Sequence, residues 1–195
     1  MAYGNGVFLT GGSGGRIARS TTPGDPTSWE IQQQDQTLFT GSSGGAYINA
    51  IAYGGGLFVA GGGKGQTIYS RDGLTWSTNT QTQEICKGFI NAIAYGAGTF
   101  VVAGTKGGDG VAAWSHDGIN WIEVVDPGPG QFTAAAYGNG YFVLGGNGGH
   151  VSYSPDGIHW TASGPAGFSV YGAAYGNGTW VIVGMGGKAA YTRIK

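Results

Sequence analysis

The sequence predicts an all-β fold: a single five-bladed β-propeller of four-stranded antiparallel blades, the last blade lacking its outer strand. Three observations predict it. The phrases "AYGNGVFL", "AYGGGLFV", "AYGAGTFV", "AYGNGYFV" and "AYGNGTWV" recur along the chain. Their marker tyrosines are Tyr3, Tyr53, Tyr95, Tyr137 and Tyr175, spaced 38–50 residues apart. A period near forty residues is that of a four-stranded propeller blade. A second marker follows the first in the middle repeats: "SRDGLTW" (Ser70–Trp76), "SHDGINW" (Ser115–Trp121) and "SPDGIHW" (Ser154–Trp160), with a looser "STTPGDPTSW" ending at Trp29 in the first. Finally, 43 of the 195 residues are glycine, a density that breaks helices but suits turns. The blades fall at about residues 1–40, 41–82, 83–126, 127–165 and 166–195.

Each repeat divides into strands a to d. Strand a ends in the marker tyrosine, as in "INAIAY" (Ile48–Tyr53). The alanine before each tyrosine (Ala2, Ala52, Ala94, Ala136, Ala174) is read as a small side chain for the crowded axis. Asn-Gly then signals a two-residue hairpin turn, because a type I′ turn requires positive φ at both central residues. Gly55-Gly56 meets that demand; Ala97-Gly98 meets it less well and points to another turn. Strand b is aromatic and β-branched ("LFVA", "TFVV", "YFVL"), strand c carries "TIYS", "AAWS" and "VSYS", and strand d starts at the tryptophan. Most Tyr, Phe and Trp side chains are assigned to the space between neighbouring sheets, which pack about 10 Å apart. No helix is expected.

The "SxDGxxW" segments resemble Asp-box repeats of sialidase-type and related propellers, shortened by one residue between Asp and Gly. Together with "AYGNGxFV" they are similar to propeller repeats of phage virion proteins and of bacterial propeller proteins, over nearly the whole chain. The resemblance implies that Asp72, Asp117 and Asp156 accept backbone N–H bonds within the turn, with the tryptophan packed beneath it. One Asp per turn is too few for a Ca²⁺ site. No metal and no cofactor is expected.

Composition narrows the function. Charged residues are 10% of the chain, the formal net charge is -1, and aromatics are 13%. This is no basic field for general nucleic-acid binding. A lone cysteine, Cys86, allows no internal disulfide, and "MAYGNGVFLTGG" lacks the features of a secretory signal. The apolar stretch 88–105 contains "YGAG" and reads as two strands around a turn rather than a membrane span. A sialidase needs three converging arginines, and Arg16, Arg19, Arg71 and Arg193 are the whole supply. A glycosidase carboxylate pair would have to come from Glu30, Glu84 or Glu123 among the glutamates; Glu30 and Glu123 follow the strand-d tryptophan toward the outer edge of a blade, and Glu84 lies in a d-to-a connection without an obvious partner. No enzyme activity and no catalytic residue is expected.

Ligand-binding candidates sit in the loops that should share one face. The glycine-rich b-to-c connections carry Arg16, Lys64, Gln66, Lys106, His150 and Lys188. These either form a weak cationic ring for an anionic glycan, phosphate or carboxylate-rich partner, or are solvated loop tips. Tyr47 and Tyr171, in the variable d-to-a connections, either stack on a sugar ring or pack between blades. The strand at Ala189–Ile194 should be an exposed edge open to strand addition or symmetric assembly.

The sequence therefore predicts a non-enzymatic recognition or structural module. The favoured setting is a virion-associated protein of a phage tail or capsid surface, with glycan binding as an added capacity. Its partners would be other virion proteins or a surface glycan, with no membrane insertion. It would be made and assembled in the cytoplasm and reside on a virion or extracellular surface. A soluble microbial lectin with inter-blade sugar sites and a glycoside-hydrolase remnant are the alternatives.

Overall fold

The structure is a computed structural model and describes residues 1–33 and 47–193. Among the described residues, five antiparallel sheets follow one another along the chain. The first holds β1 (Ala2–Gly4), β2 (Val7–Gly11), β3 (Ile17–Ser20) and β4 (Glu30–Gln33). The second holds β5 (Ile48–Gly54), β6 (Leu57–Gly62), β7 (Thr67–Ser70) and β8 (Ser77–Asn79). The third holds β9 (Phe89–Gly96), β10 (Thr99–Lys106), β11 (Asp109–Ser115) and β12 (Ile122–Glu123). The fourth holds β13 (Phe132–Gly138), β14 (Tyr141–Gly146), β15 (Val151–Ser154) and β16 (Thr161–Ala162). The last has three strands: β17 (Val170–Gly176), β18 (Thr179–Gly184) and β19 (Ala189–Arg193).

All five a–b hairpins use the same turn. Positive φ occurs at Asn5/Gly6, Gly55/Gly56, Ala97/Gly98, Asn139/Gly140 and Asn177/Gly178. Ala97, at φ 46°, thus adopts the left-handed conformation that its side chain disfavours. It sits at the turn between β9 and β10, which pair from Gly96 opposite Thr99 to Phe89 opposite Thr105. The expectation of a different turn at this position is corrected.

A helix also forms where none was expected. α1 (Gln81–Cys86) ends at Lys87, which takes a left-handed conformation and donates its N–H to the Gln83 carbonyl. Its inner side buries Thr82 and Cys86. Burial first pushes the Cys86 thiol up, to about 12, with Glu123 adding to the rise; this is an inert packing residue.

The core lies between sheets. β2 residues Val7 and Leu9 meet Phe58, Ala60 and Ile68 of the second sheet. Leu57 and Val59 meet Phe100, Val102 and Val111 of the third. Val101 and Ala103 meet Phe142 and Leu144 of the fourth. Within each sheet a tyrosine leans on the aromatic opposite it, with ring centroids 4.4–4.7 Å apart for Tyr3–Phe8, Tyr53–Phe58, Tyr95–Phe100 and Tyr137–Phe142. Such pairs add roughly 0.5–1.5 kcal/mol beyond area burial.

Two joints repeat from sheet to sheet. In the first, the tyrosine of one sheet lies on the glycine that ends the inner strand of the sheet before. A Cβ on Gly4, Gly54, Gly96 or Gly138 would stand 2.0–2.3 Å from Tyr53, Tyr95, Tyr137 or Tyr175 respectively. In the second, a residue at an inner-strand bulge bonds across to the next inner strand. Asn49 Nδ2 donates to the Ile90 carbonyl at 3.0 Å, and Asn91 Nδ2 to the Phe132 carbonyl at 2.9 Å. Thr133 Oγ1 donates to the Val170 carbonyl. Register shifts flank these residues in the β5–β6, β9–β10 and β13–β14 pairs.

The alanines before the tyrosines do not line the axis. Ala52 and Ala94 pair with Val59 and Val101 and pack into the cores between sheets. An axial opening of 220 Å³ is lined instead by Ala50, Ala92, Ala134 and Gly172, near the bulges. Side chains alternate in direction along a strand, and the bulge resets which residues face inward.

Candidate functional site

The turn aspartates are structural. In each of three turns the serine hydroxyl donates to the Asp Oδ1 at 2.9–3.0 Å and accepts the N–H of Gly73, Gly118 or Gly157 at 2.8–2.9 Å. The same Oδ1 accepts two further backbone N–H bonds, from Leu74 and Thr75, Ile119 and Asn120, or Ile158 and His159. For Asp72 the Thr75 and Leu74 N–H groups hold the carboxyl below its ordinary 3.8. For Asp117, desolvation pushes upward, but the Asn120 N–H and side chain, Ile119 and Ser115 outweigh it and hold the carboxyl well below 3.8. Asp156 follows the same pattern, with His159 as the chief opposing donor.

These turns also seal the joint to the preceding sheet. Each glycine packs on strand b of its neighbour: Gly73 on Leu9, Gly118 on Leu57 and Val59, Gly157 on Thr99 and Val101. Trp76, Trp121 and Trp160 enter the same cores. Gln81 holds Trp121 at both ends, its Oε1 accepting the Trp121 N–H and its Nε2 donating to the Trp121 carbonyl.

The loop candidates do not converge. Arg16, Lys64 and Lys188 are exposed. Gln66 is only 2% exposed, so its side chain is not offered to a ligand. Lys106 is bound to Glu123 at 2.8 Å, across the third sheet. The His150 ring packs against Gly130, where a Cβ would come within 2.5 Å of it. The shared position of Arg16, Gln66, His150 and Lys188 has a backbone reason. Their carbonyls accept the N–H of Gly12, Gly62, Gly146 and Gly184 and close the loops. None of these side chains lines the axial opening. Tyr47 forms an isolated bridge with Ser13. Tyr171 stands at the bulge position of β17, exposed, and does line the opening. Residues 34–46 of the first variable connection and Ile194 of the predicted edge lie outside the described residues. Among the described residues, no group of three His, Cys, Asp or Glu side chains is placed to hold a metal.

The structure also draws attention to its last two sheets, where sequence reasoning singled out the edge strand at Ala189–Ile194 but not the groove beside it. An apolar groove of 370 Å³ opens between them, beside β19. Tyr141, Val143 and Tyr153 form one wall; Trp180, Ile182 and Thr192 form the other. Tyr141 is 41% exposed, whereas its counterparts Leu57 and Thr99 are 3% and 2% exposed. The signal in the sequence was the fifth repeat, in which strand c is followed by no "DGxxW".

The far face of the last sheet is also bare. Val181, Val183 and Tyr191 are exposed there. Gly176, the counterpart of Gly4, Gly54, Gly96 and Gly138, has none of the described residues within 4 Å of where a Cβ would stand. At the other end of the row Tyr3 is 59% exposed.

Comparison with known proteins agrees with this architecture. No protein-family model matches the chain, and no curated protein matches it in sequence. Among solved structures it is similar to the chain in a nidogen/laminin complex (TM-score 0.70, 14% identity), covering 96% of this chain and 74% of that one. It is also similar to YCF48 bound to D1 peptide (0.67, 17%), covering 98% of this chain and 61% of that one. BamB from Moraxella catarrhalis is a third (0.60, 13%), covering 100% and 56%. The chain therefore spans little more than half the length of two of these. The class that the fold defines is the β-propeller: antiparallel sheets set as blades around an axis. At these identities the likeness is one of fold alone.

Proposed function

We propose that the chain is a five-bladed, non-catalytic propeller module that assembles end to end with a second copy of itself. One observation carries this reading: Tyr3 and Gly176 are the two unmatched halves of the joint that links every other pair of neighbouring sheets. Asn177 adds specificity. At the first joint the Tyr53 hydroxyl donates to Asn5 Oδ1 at 2.6 Å, and Asn177 stands at the place of Asn5 beside the vacant glycine. Tyr3 of one copy seated on Gly176 of the next, with its hydroxyl on Asn177, repeats that joint. A head-to-tail contact of this kind is heterologous and builds rings or rows.

A virion surface is the setting that suits such assembly, given the low charge and the likeness of the repeats to phage propeller proteins. The solved structures named for a bound peptide and for a protein complex support a protein partner by analogy.

Light scattering across a concentration series tests the reading. Association is expected, with Tyr3→Ser and Gly176→Leu each shifting it toward monomer. A monomer at all concentrations overturns it. So does an intrachain crosslink between cysteines placed at positions 3 and 177, since the ring would then close on itself. An anionic glycan at exposed Arg16, Lys64 and Lys188 is the second reading, and a glycan array tests it; silence there leaves the assembly reading standing.

A further inference from the structure

The groove between the fourth and fifth sheets has a defined occupant at every other joint, and the repeats say what it is. At the three preceding joints, strand c is followed by a turn whose glycine covers strand b of the sheet before and whose tryptophan enters the core between the two sheets. The chain then pairs as strand d with strand c: Tyr69 opposite Ser77 and Ile68 opposite Thr78 in the second sheet, Tyr153 opposite Thr161 and Ser152 opposite Ala162 in the fourth. At the last joint all the receiving parts are present. Tyr141 and Val143 stand where Leu57 and Val59 receive Gly118. Trp180 stands where Phe58, Phe100 and Phe142 lie. Thr192 has the place of the serine hydroxyl that binds the turn. Ser163 has the place of Asn79, whose Nδ2 donates to the Ile119 carbonyl of the neighbouring turn. Among the described residues, β19 pairs with β18 alone.

We infer that this groove is a binding site for an extended polypeptide segment of the form Asp-Gly-x-x-Trp followed by a two- or three-residue strand. The glycine lies on Tyr141 and Val143. The tryptophan fills the 370 Å³ groove against Trp180 and Ile182. The aspartate accepts the Thr192 hydroxyl, as Asp156 accepts that of Ser154. The strand then adds to the open edge of β19 opposite Tyr191 and Ala190, giving the last sheet a fourth strand. Affinity comes from main-chain pairing and selectivity from the aromatic pocket, as in other strand-addition sites. Glycine is required because a side chain at that turn would meet the facing wall, as one at Gly118 would meet Leu57 and Val59 at 2.8 Å. The site lies on the opposite face of the fifth sheet from Gly176 and stands independently of end-to-end assembly.

A peptide copied from this chain, Pro155–Ser163 (PDGIHWTAS), is a probe of known fit. Labelled at its N-terminus and titrated with the whole protein in fluorescence anisotropy, it is expected to bind saturably. The same peptide carrying Trp160→Ala should bind at least tenfold more weakly. On the protein side, Tyr141→Asp should weaken binding about tenfold; Tyr141 is already partly exposed, so the fold survives the change. Thr192→Val should weaken it about threefold. Amide hydrogen exchange at 189–193 should slow on saturation. No saturation at millimolar peptide with protein of native circular dichroism overturns the inference. Equal binding of a peptide with the same nine residues in scrambled order also overturns it, as does binding that ignores Tyr141→Asp.

Discussion

The substitution Gly96→Ala separates the inter-sheet joint from any general intolerance of glycine replacement. The new Cβ would stand 2.0 Å from Tyr137 Cγ, and all three nearest atoms belong to that ring. Ordinary carbon contacts lie at about 3.5 Å or more, so the ring or the strand must shift by roughly 1.5 Å. The ring cannot simply swing away, because Tyr137 leans on Phe142 at 4.7 Å and packs against the core between the third and fourth sheets. Overpacking of this kind costs about 1–3 kcal/mol; the rigid ring places Gly96→Ala near 3. At about 2–4 °C per kcal/mol for a chain of this size, the melting point should fall by about 6–12 °C. Gly176→Ala is the matched control. It is the same position on the last sheet, with none of the described residues within 4 Å of the new atom, and should change stability by no more than about 0.5 kcal/mol. Calorimetry on dilute protein, where copies are apart, reads both. A Gly96→Ala melt within about 1 °C of the parent would refute the joint, as would equal losses in the two variants.

Two further outcomes follow from the same geometry. Asn91→Ala removes the bond to the Phe132 carbonyl and should cost about 1 kcal/mol, read as a lower urea midpoint at unchanged slope. The turn aspartates make stability depend on acid: because folding lowers their carboxyl values below 3.8, their contribution is complete above that pH and is lost as pH falls through the depressed folded values. Chemical denaturation at pH 7 and pH 2.5 should show the loss, and Asp117→Asn should shrink the difference between the two.

Much of the fold was legible because its signals are local. Asn-Gly fixes a turn by backbone conformation alone, and "SxDG" closes its own hydrogen bonds within four residues. Strand order within each sheet followed from these two turns. What was illegible depends on register and on partners distant in sequence. "INAIAY" contains two alanines, and only the bulge at Asn49 decides that Ala50 faces the axis and Ala52 the next sheet. The helix α1 arose in a polar connection read as loop, where burial of Thr82 and Cys86 against the neighbouring loop outweighs a pattern too short to announce it. The loop residues read as one ligand-binding set share a backbone position, and side-chain burial then sorts them. Gln66 turns inward and Lys106 takes a carboxylate. The groove was visible in the sequence as an incomplete repeat with an open edge at Ala189–Ile194; its walls required the three complete repeats for comparison.

The uniformity of the joints has a consequence for how the molecule comes apart. Each sheet between the first and the last is held on both flanks by the same small set of contacts, so opening one disturbs only its neighbours. Among the described residues, β17, β18 and β19 are held on one flank, without a covering turn and without a fourth strand. Cooperative units of a chain open in order of the contacts that hold them. The row therefore has a polarity: fraying begins at the fifth sheet and runs back toward the well-sealed third. Whatever seats itself in the last groove also sets the temperature at which the whole row starts to unravel.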